Sequence, residues 1–302
     1  MRVAAIDCGT NSIRLLIADV IEGGLTDVTR QMEIVRLGEG VDRTGRLSDA
    51  AIARTRKALA GFAASITSHD VAKVRMCATS ASRDADNAQD FRAMVRGVLG
   101  VDPEVISGDE EARLSFAGAV AGLKAEQPYL IVDIGGGSTE FVTGSESVDH
   151  AISMDIGCVR MTERHLHGDP PTAAEIVAAE RDIEAAVDVA LAAVPGKEAK
   201  TLVGLAGTVT TVVALAEDLP SYDPTRIHHA RVTYEQVAAV TSDVLAMSVA
   251  ERRSLPVMHP GRADVIGGGA LILRIIMERA GQTSVIASEH DILDGIAYKL
   301  VG

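Results

Sequence analysis

The 302-residue chain has no tryptophan, and four tyrosines and four phenylalanines bring its aromatics to only 3%. With so few large rings, a folded core has to be built from Ala, Val, Ile and Leu, and small side chains have to pack closely. Cysteine is also scarce. Cys8, Cys77 and Cys158 form no C-x-x-C pair and are odd in number. That excludes a disulfide framework and points to a reducing compartment, the cytoplasm. Positive charge is the third deficit: 29 Lys and Arg against 42 Asp and Glu leave a net charge of −13. Nonspecific nucleic-acid binding needs a basic surface, so nucleic acid is excluded as a partner. A polyanionic substrate is not excluded, provided that metal ions, backbone amides and a local Arg cluster supply the positive field. No stretch reaches the ~18 apolar residues of a membrane helix. Asp7 and Arg14 interrupt the N-terminus before a signal-like run forms. No membrane association is therefore expected.

What is present is globular: 47% hydrophobic and 24% charged residues, in a length that suits two domains. Residues 3–6 are apolar and lead through Asp7-Cys8-Gly9-Thr10-Asn11-Ser12 into a second apolar run, 13–20, which reads as a β-hairpin. A third strand is expected at 28–35 and a mobile, charged, glycine-rich loop at 37–47. Ser48 reads as the N-cap of a helix carrying Ile52, Leu59, Phe62 and Ile66. A strand at 73–79, a helix capped by Asn87 and stopped by Gly100, a strand at 104–107 and a helix at about 109–123 follow. Then the opening recurs. Tyr129 to Asp133 reads as a buried strand, 134–138 as a turn and 139–143 as a return strand. Asp7, Gly9 and Ser12 recur as Asp133, Gly135 and Ser138, each at an offset of 126 (133−7, 135−9, 138−12). Capping boxes at Thr172/Glu175, Thr233/Gln236 and Ser248/Glu251 start later helices, and Gly267 to Gly269 lies inside another. The expected fold is α/β: a duplicated ribonuclease-H-like, actin-like ATPase architecture. Its two domains, 1–124 and 125–302, flank an interdomain cleft, and the last helix packs back on the first domain.

Three consecutive glycines, Gly135, Gly136 and Gly137, let backbone N–H groups approach an anion, and Ser138 and Thr139 add hydroxyls. Asp133 at the strand end and Glu140 on the return strand suit a hard cation such as Mg²⁺. Alone, this is also a glycine-rich hairpin with a solvated Asp; the matching Asp7 to Ser12 hairpin argues for a two-sided phosphate clamp. The segment Ser107 to Arg113 puts Asp109, Glu110 and Glu111 at a helix start. There they either complement the helix dipole or supply a general base. Arg83, just past a strand end, is either a phosphate clamp or a solvated Arg. Gly207 and Thr208 open a helix with free N–H groups, or make a packing turn. His228-His229 and His165-x-His167 lack companions at zinc spacing and read as surface or loop histidines.

Five segments together resemble the exopolyphosphatase and guanosine pentaphosphate phosphohydrolase (Ppx/GppA) family: I-D-C-G-T-N-S at 6–12, T-S-A-S-R at 79–83, S-G-D-E-E-A-R at 107–113, V-D-I-G-G-G-S-T-E at 132–140 and G-L-A-G-T at 204–208. They stand in the family's order and cover nearly the whole chain. The resemblance implies that Glu111 is the catalytic base and that Asp133 and Glu140, with Asp7 facing the same ion, hold Mg²⁺ or Mn²⁺. It also implies that Thr10, Asn11, Ser12, Arg83, Gly135 to Thr139, Gly207 and Thr208 meet phosphate. The implied reaction releases terminal orthophosphate from polyphosphate or removes the 5′ γ-phosphate of guanosine pentaphosphate. A kinase-like phosphotransferase and a noncatalytic phosphate or nucleotide sensor are the alternatives, and a homodimer stays open. Two departures stand out. The chain resembles the short form, without the C-terminal helical domain. And Leu293 stands where the family's closing segment usually has Arg.

Overall fold

The computed structural model describes residues 1–21 and 24–300. Along β1 (Arg2–Cys8), side chains alternate between two buried faces. Ala4, Ile6 and Cys8 join one apolar cluster, and Val3 and Ala5 join another. A strand covered on both sides has no polar face, which is why residues 3–6 read as an unbroken apolar run. By the two-residue period, Asp7 falls on the Val3–Ala5 side. β2 (Ser12–Ile21) returns antiparallel with Arg14 opposite Asp7, and β3 (Gly24–Ile34) pairs outside it. β4 (Lys73–Ala78) and β5 (Glu104–Val105) add in parallel on the other flank, giving the order β3-β2-β1-β4-β5.

Helices Asp49–Ser68 and Ala88–Leu99 cover one face of this sheet with Leu59, Phe62, Phe91 and Val95. The other face packs against Leu114 of helix Gly108–Val120 and against Ile292, Leu293 and Ile296 of helix Ile292–Tyr298. Ser48 caps its helix through Ala51 N, and Gly100, in the left-handed region, ends the next. Asn87 sits at the N-cap position but does not cap. Its side chain bonds Leu47 N and O at 2.8 and 3.0 Å. The 37–47 segment is accordingly not the loose loop expected: it holds a helical turn, Val41–Thr44, and sends Leu37, Val41 and Leu47 into the core.

The second sheet repeats the first. β6 (Tyr129–Ile134), β7 (Thr139–Gly144) and β8 (Val148–Met154) form a meander, and β9 (Thr201–Leu205) pairs parallel to β6. After β10 (Arg231–Thr233), β11 (Ser284–Ala287) pairs parallel to β9, with β10 as an antiparallel edge. The order β10-β11-β9-β6-β7-β8 thus contains the same 3-2-1-4-5 arrangement. It is the duplicated ribonuclease-H-like architecture of the actin-like ATPase fold. All three expected capping boxes form. Helix Ile266–Ala280 is buried almost throughout. Its glycines let it close on its neighbours: a Cβ on Gly269 would come within 2.5 Å of Thr208 Oγ1.

By density of contacts the chain divides into two compact units, Met1–Gly118 with Ile292 onward, and Ala119–Asp291. Among the described residues no helix is long and apolar enough to cross a membrane.

Candidate active site

The two hairpin turns fold alike. Gly9 N donates to Ser12 O, and Gly135 N donates to Ser138 O, each at 3.0 Å. In the first unit, Thr10 O accepts from Gly38 N at 2.9 Å, and Asn11 O accepts from Val35 N and Arg36 N at 3.0 and 2.9 Å. A trans peptide sets the C=O of one residue opposite the N–H of the next. Anchoring those carbonyls therefore turns the Asn11 and Ser12 amides the other way. Thr10 Oγ1 shares a hydrogen bond of 2.8 Å with Ser80 Oγ. Asn11 Oδ1 and Ser82 Oγ are buried with no protein partner among the described residues. Asp7 accepts from Arg14 Nη2 at 2.7 Å and Nε at 3.1 Å.

The two candidate glutamates separate clearly. Glu110 Oε1 accepts from Lys299 Nζ at 2.8 Å and lies 3.8 Å from Arg75, with its side chain about one-third exposed (32%). Glu111 is buried at 8% exposure, and its Oε2 accepts from Arg83 Nη1 at 3.2 Å. The same Nη1 reaches Ile106 O at 3.0 Å. Asp109 forms an i,i+4 pair with Arg113. The dipole explanation thus suits Asp109, while Glu111 is buried beyond any need to cap a helix.

In the second unit, helix Cys158–His165 fixes the glycine turn. Cys158 N donates to Gly135 O at 2.9 Å. Val159 N and Arg160 N donate to Gly136 O at 2.9 and 3.1 Å, and Arg160 Nε donates to Gly137 O at 2.7 Å. With three consecutive carbonyls anchored, the N–H groups of Gly136, Gly137 and Ser138 point away from that helix. Among the described residues they donate to no protein acceptor. Such a run of amides is an anion nest. It depends on Gly157, where a Cβ would lie 2.4 Å from the Gly136 carbonyl carbon. Asp133 and Glu140, both buried, stand directly opposite each other in the β6–β7 register. Glu140 Oε1 accepts from Ser138 Oγ at 2.8 Å and Ser153 Oγ at 2.7 Å. Thr139 is fully buried and donates to Ile156 O at 2.6 Å. The Ser138 and Thr139 hydroxyls thus serve the protein, and the amides are what the turn offers an anion.

Beside this turn, β9 leads into helix Ala206–Ala216 through Ala206 at φ 65°. The Arg262 guanidinium lies on Gly207, whose Cβ would be 2.0 Å from Nη2, and Arg262 Nη1 donates to Thr211 Oγ1 at 2.6 Å. Thr208 is buried and hydrogen-bonds the Cys158 thiol. All three cysteines are buried and free. Burial pushes each thiol up, Cys77 to about 12, so none is a ready nucleophile.

Residues 16–302 match the Ppx/GppA phosphatase family. The chain belongs to that family. It is 52% identical over 315 residues to exopolyphosphatase 2 of Mycobacterium tuberculosis, an alignment covering 100% of this chain and 99% of the relative. A solved exopolyphosphatase-like protein shares 44% identity and a TM-score of 0.96, covering 99% of this chain and 97% of its own. The Aquifex aeolicus Ppx/GppA family member shares 33% identity and a TM-score of 0.84, covering 100% and 97%.

Against this family background, three arginines were not singled out from sequence. Arg160 holds Gly137, Arg262 covers Gly207, and Arg14 holds Asp7. Only Arg14 carried a readable signal: 14 + 126 = 140, so it stands in the repeat where Glu140 stands. Leu293, in place of the usual Arg, is a core residue at 3% exposure beside Val3, Ala5 and Leu114. The departure is thus an exchange of charge for packing. His165 is paired with Asp182 at 2.8 Å. His228 and His229, expected as surface or loop histidines, lie in the connection between helix Pro224–Ile227 and β10, partly buried and stacked with ring centroids 3.7 Å apart.

Among the described residues no three His, Cys, Asp or Glu side chains gather as a metal site. The expected trio is divided: Asp7 lies in the first unit, Asp133 and Glu140 in the second. The facing Asp133–Glu140 pair still fits Mg²⁺, which is usually held by one or two carboxylates and completed by phosphate oxygens and water.

Proposed function

We propose that the chain is an exopolyphosphatase, releasing orthophosphate from the end of inorganic polyphosphate. The observation that carries this reading is the glycine turn: three consecutive anchored carbonyls and three unused amides, beside Asp133 and Glu140. That is a seat for a phosphoryl group with a cation. The Mycobacterium tuberculosis relative, named exopolyphosphatase 2, matches along its full length.

In this reading the amides of Gly136, Gly137 and Ser138 hold phosphoryl oxygens, while Arg262 near Gly207 and the first-unit turn at Thr10, Asn11 and Ser12 serve neighbouring phosphates. Glu111 accepts the proton of the attacking water as its oxygen bonds to the terminal phosphorus. The phosphoanhydride oxygen leaves with the shortened chain. Arg83 orients the Glu111 carboxylate and offers its remaining N–H groups to the phosphate. Asp133 and Glu140, with Asp7 as the third expected ligand, would hold Mg²⁺ or Mn²⁺, which neutralises phosphate charge when bound. Three buried free thiols suit the cytoplasm.

Guanosine pentaphosphate is the second reading, favoured by a 29% identical relative, the guanosine-5′-triphosphate,3′-diphosphate pyrophosphatase of Aeromonas hydrophila; this chain spans 59% of that protein's length. The test is phosphate release from polyphosphate, guanosine pentaphosphate and ATP in parallel. Release from polyphosphate at a kcat/KM above the other two is expected. Release only from guanosine pentaphosphate makes the second reading the right one. Transfer from ATP to an acceptor identifies a phosphotransferase, and binding without release a sensor.

A further inference from the structure

The phosphate chemistry leaves one cluster in the second unit unused. His228 stacks on His229 with ring centroids 3.7 Å apart and packs against His290 at 4.5 Å. The cluster is built in, and several hydrogen bonds fix it. His229 N donates to Ala287 O at 2.7 Å, Ser288 N donates to Gly204 O at 3.0 Å, and Glu289 N donates to His228 Nδ1 at 3.2 Å. That last bond makes Nδ1 an acceptor, so His228 carries its proton on Nε2. His229 adopts a left-handed backbone at φ 65°, a conformation that costs a non-glycine residue energy and gathers at functional sites. Its Nε2 is buried with no protein partner among the described residues. An unsatisfied buried ring nitrogen on a strained residue is a cost that a bound group can repay.

The cluster's position suggests what that group is. His290 follows the C-terminal end of β11, and His229, just before β10, bonds to Ala287 O at that same end, the side on which open α/β sheets bind ligands. Tyr222 links the cluster to helix Ala206–Ala216: its hydroxyl lies 2.7 Å from both Thr210 Oγ1 and Glu289 Oε1. β11 is two strands from β6, which at strand spacing is roughly 10 Å from the glycine turn. We propose that His228, His229 and His290 form a subsite for phosphoryl groups of the substrate beyond the reacting end, binding them with uptake of protons. The inference rests on the polyphosphate reading of the site.

The physical case is that the positive charge appears only when it is needed. Burial and the neighbouring His290 push His229 down, so that ring resists charging while the cluster is empty. A polyanion reverses that balance at His229, because it stabilises the imidazolium form of a ring it meets, while His228, whose Nδ1 already accepts from Glu289 N, donates through Nε2. A chain with a net charge of −13 thereby gains a cation without carrying it permanently. The other charged and titratable groups on the segments packed here are Glu289 and Asp291 after β11, Tyr222, Asp223 and Arg226 before β10, and Arg262, which faces Tyr222. Of these, Glu289 accepts from Tyr222 and joins the cluster through its backbone N–H to His228. Stacked rings do not converge their nitrogens on one point, which suits several phosphoryl oxygens along a chain rather than one metal ion.

The test is calorimetric titration of the Glu111→Gln protein, which holds substrate without consuming it. Linear polyphosphate of about ten residues is compared with pyrophosphate in two buffers of different ionisation enthalpy, at pH 6 and pH 8. The expected result is uptake of about one proton per long chain, with binding about tenfold tighter for each unit fall in pH across the titration. Pyrophosphate, too short to span two strand spacings, should show neither. His229→Gln should remove most of the proton uptake, and both it and His290→Gln should weaken long-chain binding several-fold, leaving pyrophosphate affinity unchanged. Long-chain binding with no proton uptake in the parent protein overturns the subsite while leaving the polyphosphate reading intact. Failure to bind polyphosphate at either pH overturns both.

Discussion

Replacing Glu111 by Gln removes one negative charge and one proton acceptor and very little else. The Gln carbonyl keeps an oxygen for Arg83 Nη1, now 3.2 Å from Glu111 Oε2, and the side chain keeps its length. The helix is unaffected, since Glu111 N donates to Ser107 O through the backbone. Loss of a general base typically costs 10²–10⁴-fold in rate, or about 3–5 kcal/mol of transition-state stabilisation. Ground-state binding should hold or tighten, because Arg83 is no longer shared with a carboxylate. The expected pattern is kcat lower by at least about a hundredfold with KM unchanged or reduced. Glu110→Gln is the internal control. Its partners are Lys299 and Arg75 at a partly exposed site, so a change within about twofold in rate and ~0.5 kcal/mol in stability is expected. Initial rates of orthophosphate release over a range of polyphosphate concentrations give both parameters. A Glu111→Gln enzyme keeping more than about a tenth of the parent kcat, or a Glu110→Gln enzyme falling as far, refutes the assignment.

Further outcomes follow from other parts of the structure. Gly157→Ala places a methyl 2.4 Å from the Gly136 carbonyl carbon; it should cost ~1–3 kcal/mol in stability and raise KM by disordering the amide nest, read by thermal melts and kinetics together. Chelation of divalent ions should abolish phosphate release, and Asp133→Asn should leave a small residual rate that added Mg²⁺ restores only in part; full activity after exhaustive chelation contradicts the metal reading. Glu140→Gln removes one of two like charges facing each other across β6 and β7, so in chelator it should melt no lower than the parent while losing activity, an outcome that a purely structural Glu140 would reverse. Glu175 is pulled from 4.5 to about 2, first by the Thr172 N–H and hydroxyl and then by Gly168 and His167 N–H groups. Its folded-state value is depressed, so its stabilisation is present above pH 4.5 and disappears as pH falls towards 2; Glu175→Gln should flatten the stability profile across that window in acid melts.

Much of the fold could be read because its signals are local. Ser48, Thr172, Thr233 and Ser248 cap helices by hydrogen bonds spanning three residues, and such bonds need only neighbours in sequence. The repeat at offset 126 was legible for the same reason: one strand, one turn and a return strand are encoded within about a dozen residues each. Asn87 shows the limit. It reads as a cap, but its amide matches both the donor and the acceptor of Leu47, forty residues away, and this tertiary pairing wins over the local one. The 37–47 segment fails as a loose loop on similar grounds, since Leu37, Val41 and Leu47 find a core that composition does not reveal. At the site, the turns and carboxylates were legible, while the arginines beside them were not. Nothing near residue 262 tells that its guanidinium lies over Gly207, 55 positions earlier (262−207). The glycine was noticed as a helix-opening turn; its deeper reason is clearance for a side chain distant in sequence.

The repeat also shows how one hairpin design serves two electrostatic purposes. Each first strand ends in a buried Asp, and each return strand faces it with a charged residue at the same register position. In the first unit that residue is Arg14, and the opposed pair closes at 2.7 Å. In the second it is Glu140, and two carboxylates face each other. Opposite charges across a strand pair stabilise it and like charges oppose it, by roughly 0.2–1 kcal/mol at ordinary sites. The second arrangement therefore works against folding, and Ser138 and Ser153 offset part of the cost by donating to Glu140. A duplication under selection for stability alone would favour the first pairing twice. On the proposed reading, keeping Glu140 at this position sets a negative, oxygen-rich pair beside the amide nest, an arrangement that suits a cation accompanying phosphate. On the same proposed reading, the Asp7–Arg14 pair, near neutral, lets the first turn meet phosphate through its amides without adding repulsion. On this argument the chemistry belongs where the two halves differ, and the residue that marks the difference is the one facing each Asp.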